Sequence, residues 1–277
     1  MNEIITSRQN PQIKAVCALE DKKERRRSGL FRFDGIKLFL DSLGRVEICG
    51  VYVRYPESDG VSSAIAKALR EGYLREDNVK RVSSEVFEKL TEERSPEGIV
   101  TVAKMCSRLH VSVSEDTLHE LSGKTLLLAE SLRDPGNLGT VMRSCAALGV
   151  DCLIMTDDCA DLYNPKTVRS AMGALFRLNT VTVAHADLPR FVVELRNSGR
   201  RVYAAALRSD ARKIGELDLA EGDCFIIGNE GHGLSDEVID SSTGSTIIPM
   251  VEGNESLNAA AAAAICIWET VKAQKKI

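Results

Sequence analysis

Several features that mark common protein classes are missing from this sequence of 277 residues. A membrane-spanning helix needs about 20 consecutive apolar residues, whereas the most apolar stretch, residues 259–268, is short and mostly alanine. The first residues, MNEIITSRQN, lack the basic head and apolar core of a secretory or organelle-import signal. These absences predict a cytoplasmic protein with no membrane span.

Metal-site spacings are missing as well. The chain has 8 cysteines and 4 histidines, but no CxxC pair, no HxxxH pair and no histidine next to a cysteine. We therefore expect no metal cofactor and no disulfide framework. The cysteines should be reduced and mostly buried.

Charge is unevenly distributed along the chain. The formal net charge of −4 does not favour a protein that binds nucleic acid through its overall charge. The first 45 residues, however, hold 10 lysines and arginines against 6 aspartates and glutamates, concentrated in the run KKERRR at 22–27. Such a run is typical either of an RNA-contacting surface or of the solvated end of a surface helix, and the sequence leaves both interpretations open.

The first part of the chain predicts a small α/β domain over residues 1–106. Residues 10–27 place Ile13, Val16 and Leu19 at helical spacing, and Gly29 follows as a helix terminator. Short apolar alternations and amphipathic segments then succeed one another to the strand GIVTVAK. Residues 107–122 show no sustained period and are predicted to be a linker.

Residues 123–277 alternate more regularly. Strands rich in Val, Leu and Ile alternate with amphipathic helices, which predicts a parallel sheet with helices on both faces. The last helix is predicted to start around Ser256. Its predicted apolar face consists of Leu257, Ala261, Ala264, Ile265, Trp268 and Val271.

Three polar loops follow strands in this second region. Parallel sheets bind ligands at the carboxyl ends of their strands, where such loops lead into helices. The first, DPGNLGTVMR at 134–143, offers Asn137 as a helix cap. The second, GNEGHGL at 228–234, has the spacing GxxGxG and places Glu230 at a strand end. The third, IPMVEGNESLN at 248–258, leads into the last helix. Taken singly, each loop is also explained as a helix start or a tight turn.

Together and in this order, the loops resemble the three signature motifs of the SpoU branch of the SPOUT methyltransferases. The matching strings are NLGTVMR, IIGNEGHGL and IPMVEGNESLNAAAAAA. The resemblance is strong over residues 123–277 and looser in the N-terminal domain, where SRQNPQIK and DGIK match. The family usually has Glu before GIK, and Asp34 departs from this.

This resemblance implies a parallel α/β sheet with a C-terminal trefoil knot, preceded by a small substrate-binding domain. It also implies a homodimer and an enzyme that transfers a methyl group from S-adenosyl-L-methionine to a ribose 2′-hydroxyl in RNA. The N-terminal domain favours ribosomal RNA over transfer RNA. Transfer RNA as the substrate, and an RNA-binding protein of the same fold without activity, remain alternatives. A dinucleotide oxidoreductase is disfavoured because GxGxxG is missing.

The resemblance also assigns candidate site residues. Those for the cofactor are Gly228, Asn229, Ile248, Met250 and Leu257. Those for catalysis are Asn137, Arg143, Glu230, Ser256 and Asn258. Because arginine is a costly general base, with a pKa above ~12, we expect Arg143 to hold the ribose and its phosphate and to stabilise developing charge. Asn137 and Arg143 are about 240° apart around a helix, so we expect Glu230 to partner only one of them.

Overall fold

The computed structural model of the protein describes residues 4–106, 115–251, 253 and 256–274, with the backbone alone at 115 and 116. The helices, in chain order, are α1 Pro11–Ala18, α2 Lys22–Ser28, α3 Ile36–Ser42, α4 Asp59–Arg70, α5 Ser84–Leu90, α6 Glu115–Leu121, α7 Pro135–Leu148, α8 Pro165–Ala171, α9 Leu188–Asn197, α10 Asp236–Ser241 and α11 Ala259–Ala273. The strands are β1 Leu30–Asp34, β2 Ile48–Arg54, β3 Val79–Val82, β4 Ile99–Lys104, β5 Leu126–Ala129, β6 Cys152–Thr156, β7 Asn179–Val183, β8 Val202–Ala205, β9 Arg212–Lys213, β10 Cys224–Ile227 and β11 Gly244–Ile247.

The described residues form two compact units. One comprises those of 1–107 together with 163–176, and the other comprises those of 108–162 and 177–277. The first unit contains a four-stranded sheet in the order β1-β4-β2-β3, in which only β2 and β3 pair in parallel. It also contains α8, which comes from the middle of the chain.

The single helix predicted over residues 10–27 is wrong, because α1 and α2 are separate helices. The side chain of Asp21 accepts a hydrogen bond from the backbone N–H of Lys23 and caps α2, which starts a new helix. The buried side chain of Arg25 donates to the carbonyl oxygens of Leu19 and Glu20 at the end of α1. Gly29 ends α2 in a left-handed conformation, as predicted.

The second unit confirms the predicted parallel α/β architecture. Its seven-stranded sheet has the order β7-β6-β5-β10-β8-β11-β9, and every pairing in it is parallel. Three short elements were not predicted: α6, β9 and α10. Each spans seven residues or fewer, which is too short for a hydrophobic period to show.

The predicted apolar face of α11 is largely wrong. The buried residues are Ala260, Ala263, Cys266, Ile267, Thr270 and Val271. From the predicted face only Val271 is among them, while Leu257 and Trp268 are 40% and 48% exposed. The helix packs against α7 and β10, and its buried side combines the small Ala260 and Ala263 with larger side chains further along the helix, whereas Trp268 lies outside.

The cysteines are free, and five of the eight are buried, as predicted. Burial raises the pKa of Cys152, Cys224 and Cys266 to about 12, so these thiols stay protonated and unreactive. Within the described parts of the chain, no helix is long and apolar enough to cross a membrane. The same residues include no cluster of three or more metal-ligating side chains.

Candidate active site and cofactor cavity

The candidate site lies where β5, β10 and β11 end. All three strands run in parallel in one sheet, so the loops that follow them emerge at the same edge. These loops are the segment 130–134 before α7, the loop 228–235 before α10, and the segment 248–258 before α11. The second and third motifs lie in these loops, whereas most of the predicted first loop, 134–143, is helical and begins α7.

Asn137 links the three loops through its side-chain amide. Its Nδ2 donates to Glu230 Oε1 at 3.0 Å, and its Oδ1 accepts from Asn258 Nδ2 at 2.9 Å. One residue from each motif therefore takes part in a continuous chain of hydrogen bonds. The expected partner of Glu230 is thus Asn137 rather than Arg143.

Glu230 is held as an acceptor. Besides Asn137, the backbone N–H groups of Asp134 and Arg133 donate to its carboxylate, at 3.1 and 3.3 Å. Partial burial acts to raise the pKa of Glu230, but these hydrogen bonds outweigh it and lower the pKa. The carboxylate therefore stays charged at neutral pH and fixes the start of α7 against the loop 228–235.

Asn137 does not cap α7, contrary to the sequence-based expectation. The cap is Asp134, whose side chain accepts from the backbone N–H of Asn137 at 2.8 Å, and Pro135 occupies the first helical position. An aspartate directly before a proline is a strong helix-start signal that could have identified the cap. With Asp134 in this role, the amide of Asn137 is available to the other two loops.

The loop 228–235 is closed upon itself. Asn229 and Gly233 exchange backbone hydrogen bonds, and the Oδ1 of Asn229 accepts from the N–H groups of Gly231 and His232. Its Nδ2 donates to the carbonyl oxygen of Ser131 at 2.8 Å. A side chain at Gly228 would collide with the backbone of the returning loop. Position 228 therefore requires glycine because the backbone of Gly233 and Leu234 passes close to it.

A cavity of about 510 Å³ opens beside this loop. All five predicted cofactor residues line it: Gly228, Asn229, Ile248, Met250 and Leu257. Glu230 and Ser256 line it too, whereas Asn137, Arg143 and Asn258 lie outside the lining. Its size and its mixture of apolar and polar walls suit a nucleoside-sized ligand such as S-adenosylmethionine.

The remaining predicted residues differ in their surroundings. Arg143 is exposed and makes no hydrogen bond or ion pair with any residue that the structure describes. The last helix was predicted to start around Ser256, but α11 starts at Ala259 and its cap is Asn258, whose Oδ1 accepts from the backbone N–H groups of Ala260 and Ala261. Part of the third loop, residues 252, 254 and 255, lies outside the described residues.

Glu130 is a further residue near the site that the sequence motifs do not include. This carboxylate follows β5, is only 2% exposed, and accepts hydrogen bonds from the backbone N–H and the hydroxyl of Ser235 at 2.9 and 2.6 Å. Its Oε1 also lies 3.1 Å from Nε2 of His185. An acidic residue at the end of the apolar string TLLLAE was the available signal, since a buried carboxylate requires partners.

The fold and the site are shared with a known family of proteins. The sequence profile of the SpoU rRNA methylase family matches residues 124–268, and that of an MRM3-like substrate-binding domain matches residues 10–101. The chain therefore belongs to the SpoU rRNA methylase family.

Individual relatives agree with this assignment. The 23S rRNA (guanosine(2553)-2′-O)-methyltransferase RlmP of Bacillus subtilis is 31% identical over 264 residues, which cover 95% of this chain and 97% of the relative. The 23S rRNA (uridine(2479)-2′-O)-methyltransferase of Streptomyces viridochromogenes is 32% identical over 183 residues, covering 65% of this chain and 61% of the relative. A crystal structure of an AdoMet-bound rRNA methyltransferase from Sinorhizobium meliloti matches with a TM-score of 0.80 and 26% identity, over 98% of this chain and 97% of that one.

Proposed function

We propose that this protein transfers the methyl group of S-adenosylmethionine to a ribose 2′-hydroxyl of ribosomal RNA. The observation that carries the proposal is the hydrogen-bonded chain Asn258–Asn137–Glu230, which joins all three motif loops beside the cavity. The two curated relatives described above are named for this reaction on 23S rRNA. Their names specify different nucleotides, so the target nucleotide is not transferred to this chain.

The cavity walls support cofactor binding. Ile248 and Leu257 offer apolar contacts to an adenine ring, and the loop 228–235 offers backbone polar groups. When bound, S-adenosylmethionine supplies an electrophilic methyl group. The chain's own task is to orient the acceptor ribose toward it and to exclude competing geometries.

We assign the catalytic roles as follows. Arg143, which is exposed and unpaired among the described residues, holds the ribose and its phosphate through its guanidinium group and stabilises the charge that develops as the hydroxyl reacts. Asn137 and Glu230 brace the loops at the cavity. Ser256, which lines the cavity, and Asn258 orient the cofactor loop and the nucleotide.

The two parts of the chain have separate tasks in this proposal. Residues 1–106 bind the RNA substrate, 107–122 connect, and 123–277 bind the cofactor and carry out the reaction. The profile match of residues 10–101 to a substrate-binding domain supports the first assignment and favours rRNA over tRNA. We also propose a cytoplasmic location.

We further propose that the enzyme is a homodimer. On the exposed side of α11, Ala261 and the 48% exposed Trp268 are seven residues apart and therefore leave apolar surface on one face of the helix. Exposed apolar patches of this kind mark association surfaces. Trp268→Glu should shift the protein to a monomer in light scattering, whereas Val193→Glu, at the similarly exposed Val193 on α9, should not.

A mixed dimer tests whether Arg143 serves the partner's site. Each variant is expected to be inactive by itself. In a dimer of an Arg143→Ala protomer with a Leu257→Glu protomer, the intact cofactor pocket of the first receives the intact Arg143 of the second if the arginine acts across the interface, so one site is complete. Recovered activity supports this arrangement. Inactive but verified heterodimers would place the whole site within one chain.

The chemistry itself is tested with labelled cofactor. The protein is incubated with S-[methyl-³H]adenosylmethionine and deproteinised ribosomal or transfer RNA, and the RNA is digested with alkali. Label in alkali-resistant dinucleotides identifies a 2′-O-methyl group. Label that appears only in mononucleotides would contradict ribose methylation, and no transfer despite cofactor binding would favour the inactive RNA-binding alternative.

A further inference from the structure

The most deeply buried carboxylate beside the cofactor cavity is not used by the proposed mechanism. Glu130 is 2% exposed, and both of its oxygens face donors from Ser235. Ser235 directly follows Leu234, which lines the cavity, and is the last residue of the loop 228–235 before α10. Burying a carboxylate is costly unless hydrogen bonds compensate, so this contact constrains where the end of the loop can lie.

Glu130 and Glu230 form a reciprocal arrangement. Glu130, before α7, accepts a backbone N–H from the end of the loop, while Glu230, within the loop, accepts backbone N–H groups from Arg133 and Asp134 before α7. Each segment thus supplies one carboxylate that binds the backbone of the other. The side chain of Asn229 adds a third connection between them.

The two carboxylates differ in their surroundings. Glu230 lines the cavity and is exposed, whereas Glu130 lies beneath the loop and does not line the cavity. A ligand in the cavity can therefore contact Glu230 but not Glu130. Any influence of Glu130 on the ligand has to act through the position of the loop.

We propose that Glu130 is a positioning residue for cofactor binding, which holds the loop 228–235 in its binding conformation through Ser235. This inference rests on the proposed function, because it takes S-adenosylmethionine as the ligand of the cavity. In the glutamine variant the charge is lost and one acceptor oxygen becomes an NH₂ group, so the hydrogen bonds to Ser235 are no longer charge-assisted and become weaker. The end of the loop is then held less firmly, and part of its ordering has to be supplied by the cofactor on binding.

The test compares Glu130→Gln with Asp223→Asn. Asp223 is also buried, accepts backbone N–H groups of Ala220 and Arg201, and lies at the opposite end of β10 from the loop. Both variants should lose stability. Only Glu130→Gln should raise the dissociation constant for S-adenosylmethionine by about 10-fold, because only there are the weakened hydrogen bonds ones that hold the cavity loop. Calorimetry at a temperature where both variants are folded measures this difference.

Hydrogen exchange without cofactor separates this inference from the proposed function. Backbone amides of residues 229–235 should exchange faster in Glu130→Gln than in wild type and remain unchanged in Asp223→Asn. If that difference is found but no variant, including wild type, binds S-adenosylmethionine, the proposed function fails and the loop-holding role stands.

Ser235→Ala provides a milder second variant, because it removes the hydroxyl and keeps the backbone N–H. It should weaken cofactor binding in the same direction, and the double variant should lose less than the sum of the single losses. Equal dissociation constants in wild type, Glu130→Gln and Ser235→Ala, with unchanged exchange of the loop, would overturn the proposal.

Discussion

Two regions of the molecule differ in how well the sequence predicted where their polar side chains lie. One is the set of loops at the carboxyl edge of the second unit's sheet, and the other is the basic run of the first unit. In the loops, the polar residues that the motifs single out meet one another, as Asn258, Asn137 and Glu230 do. In the basic run, Arg25 is buried against carbonyl oxygens at the end of α1, and Arg27 is paired with Glu24. The motif residues that follow strands therefore lie close together, as their order predicted. The cations of the basic run, in contrast, differ in whether they are exposed.

The difference has a physical cause. Parallel strands fix the edge at which their following loops emerge, so the order of the motifs constrains their spatial relation. A helical run of cations carries no such constraint, because each side chain goes to solvent, an ion pair or a backbone carbonyl according to its position around the helix.

The largest expected effect is on Leu257 at the cavity. Leu257→Glu places a carboxylate against the apolar wall and should weaken S-adenosylmethionine binding on the order of 100-fold or more, since an uncompensated charge of this kind costs about 3–5 kcal/mol when buried. Val193→Glu is the matched control, because Val193 has a similar exposure of 39% but does not line the cavity. Titration calorimetry decides, and near-normal affinity in Leu257→Glu would remove this wall from the cofactor site.

Arg143 tests whether a motif residue without protein partners acts on the substrate. Arg143→Lys keeps the charge but loses the two-point contact, so methyl transfer should fall ~10²–10³-fold with cofactor affinity nearly unchanged. Arg133→Lys serves as the control, since its exposed side chain pairs with Asp158. Normal turnover in Arg143→Lys would show that charge alone suffices, and lost cofactor binding would place Arg143 in the cofactor site.

Asn137 tests the link between the loops. Asn137→Ala removes two side-chain hydrogen bonds and should lower the free energy of unfolding by about 1–3 kcal/mol. Asn137→Asp should be worse, because it places a second carboxylate beside Glu230. Chemical denaturation measures both, with Asn179→Ala as the control for loss of one exposed amide contact. An aspartate variant as stable as wild type would argue against the link.

A pH series sharpens the role of Glu230. Since hydrogen bonds lower the pKa of Glu230 in the folded protein, its stabilising contribution is present above the ordinary value of 4.5 and is lost as the pH falls through the lowered value. The stability difference between wild type and Glu230→Gln should therefore be constant near neutral pH and shrink below about pH 4.5. A difference that grows toward low pH would contradict the assigned direction.

The smallest expected effects concern the basic run. Reversing the charge of the exposed Lys22, Lys23 or Arg26 should weaken RNA binding several-fold and reduce the salt dependence by about one counterion per lost phosphate contact. Arg25→Gln should instead lower stability, because two carbonyl oxygens lose their donor. Filter binding at several salt concentrations and thermal unfolding distinguish the two results. Equal effects on RNA binding and stability at all four positions would contradict the distinction between the exposed cations and the buried Arg25.

These comparisons show what the sequence could and could not predict. The parallel sheet and the positions of the loops followed from strand patterns, whereas the cofactor residues came from the family resemblance, and the trefoil knot stays a prediction of that resemblance. The buried face of α11 was predicted wrongly because hydrophobicity favours Leu and Trp over Ala, while close helix packing favours Ala260 and Ala263. Glu130 was missed because its partner, Ser235, is 105 residues away in the chain.

The central claim, that three loops at one sheet edge form a site for S-adenosylmethionine, is tested most directly by titrating the wild-type protein with that cofactor and with NAD in a calorimeter. We expect one saturable S-adenosylmethionine site per chain and no heat of binding with NAD. Binding of NAD without binding of S-adenosylmethionine would contradict it.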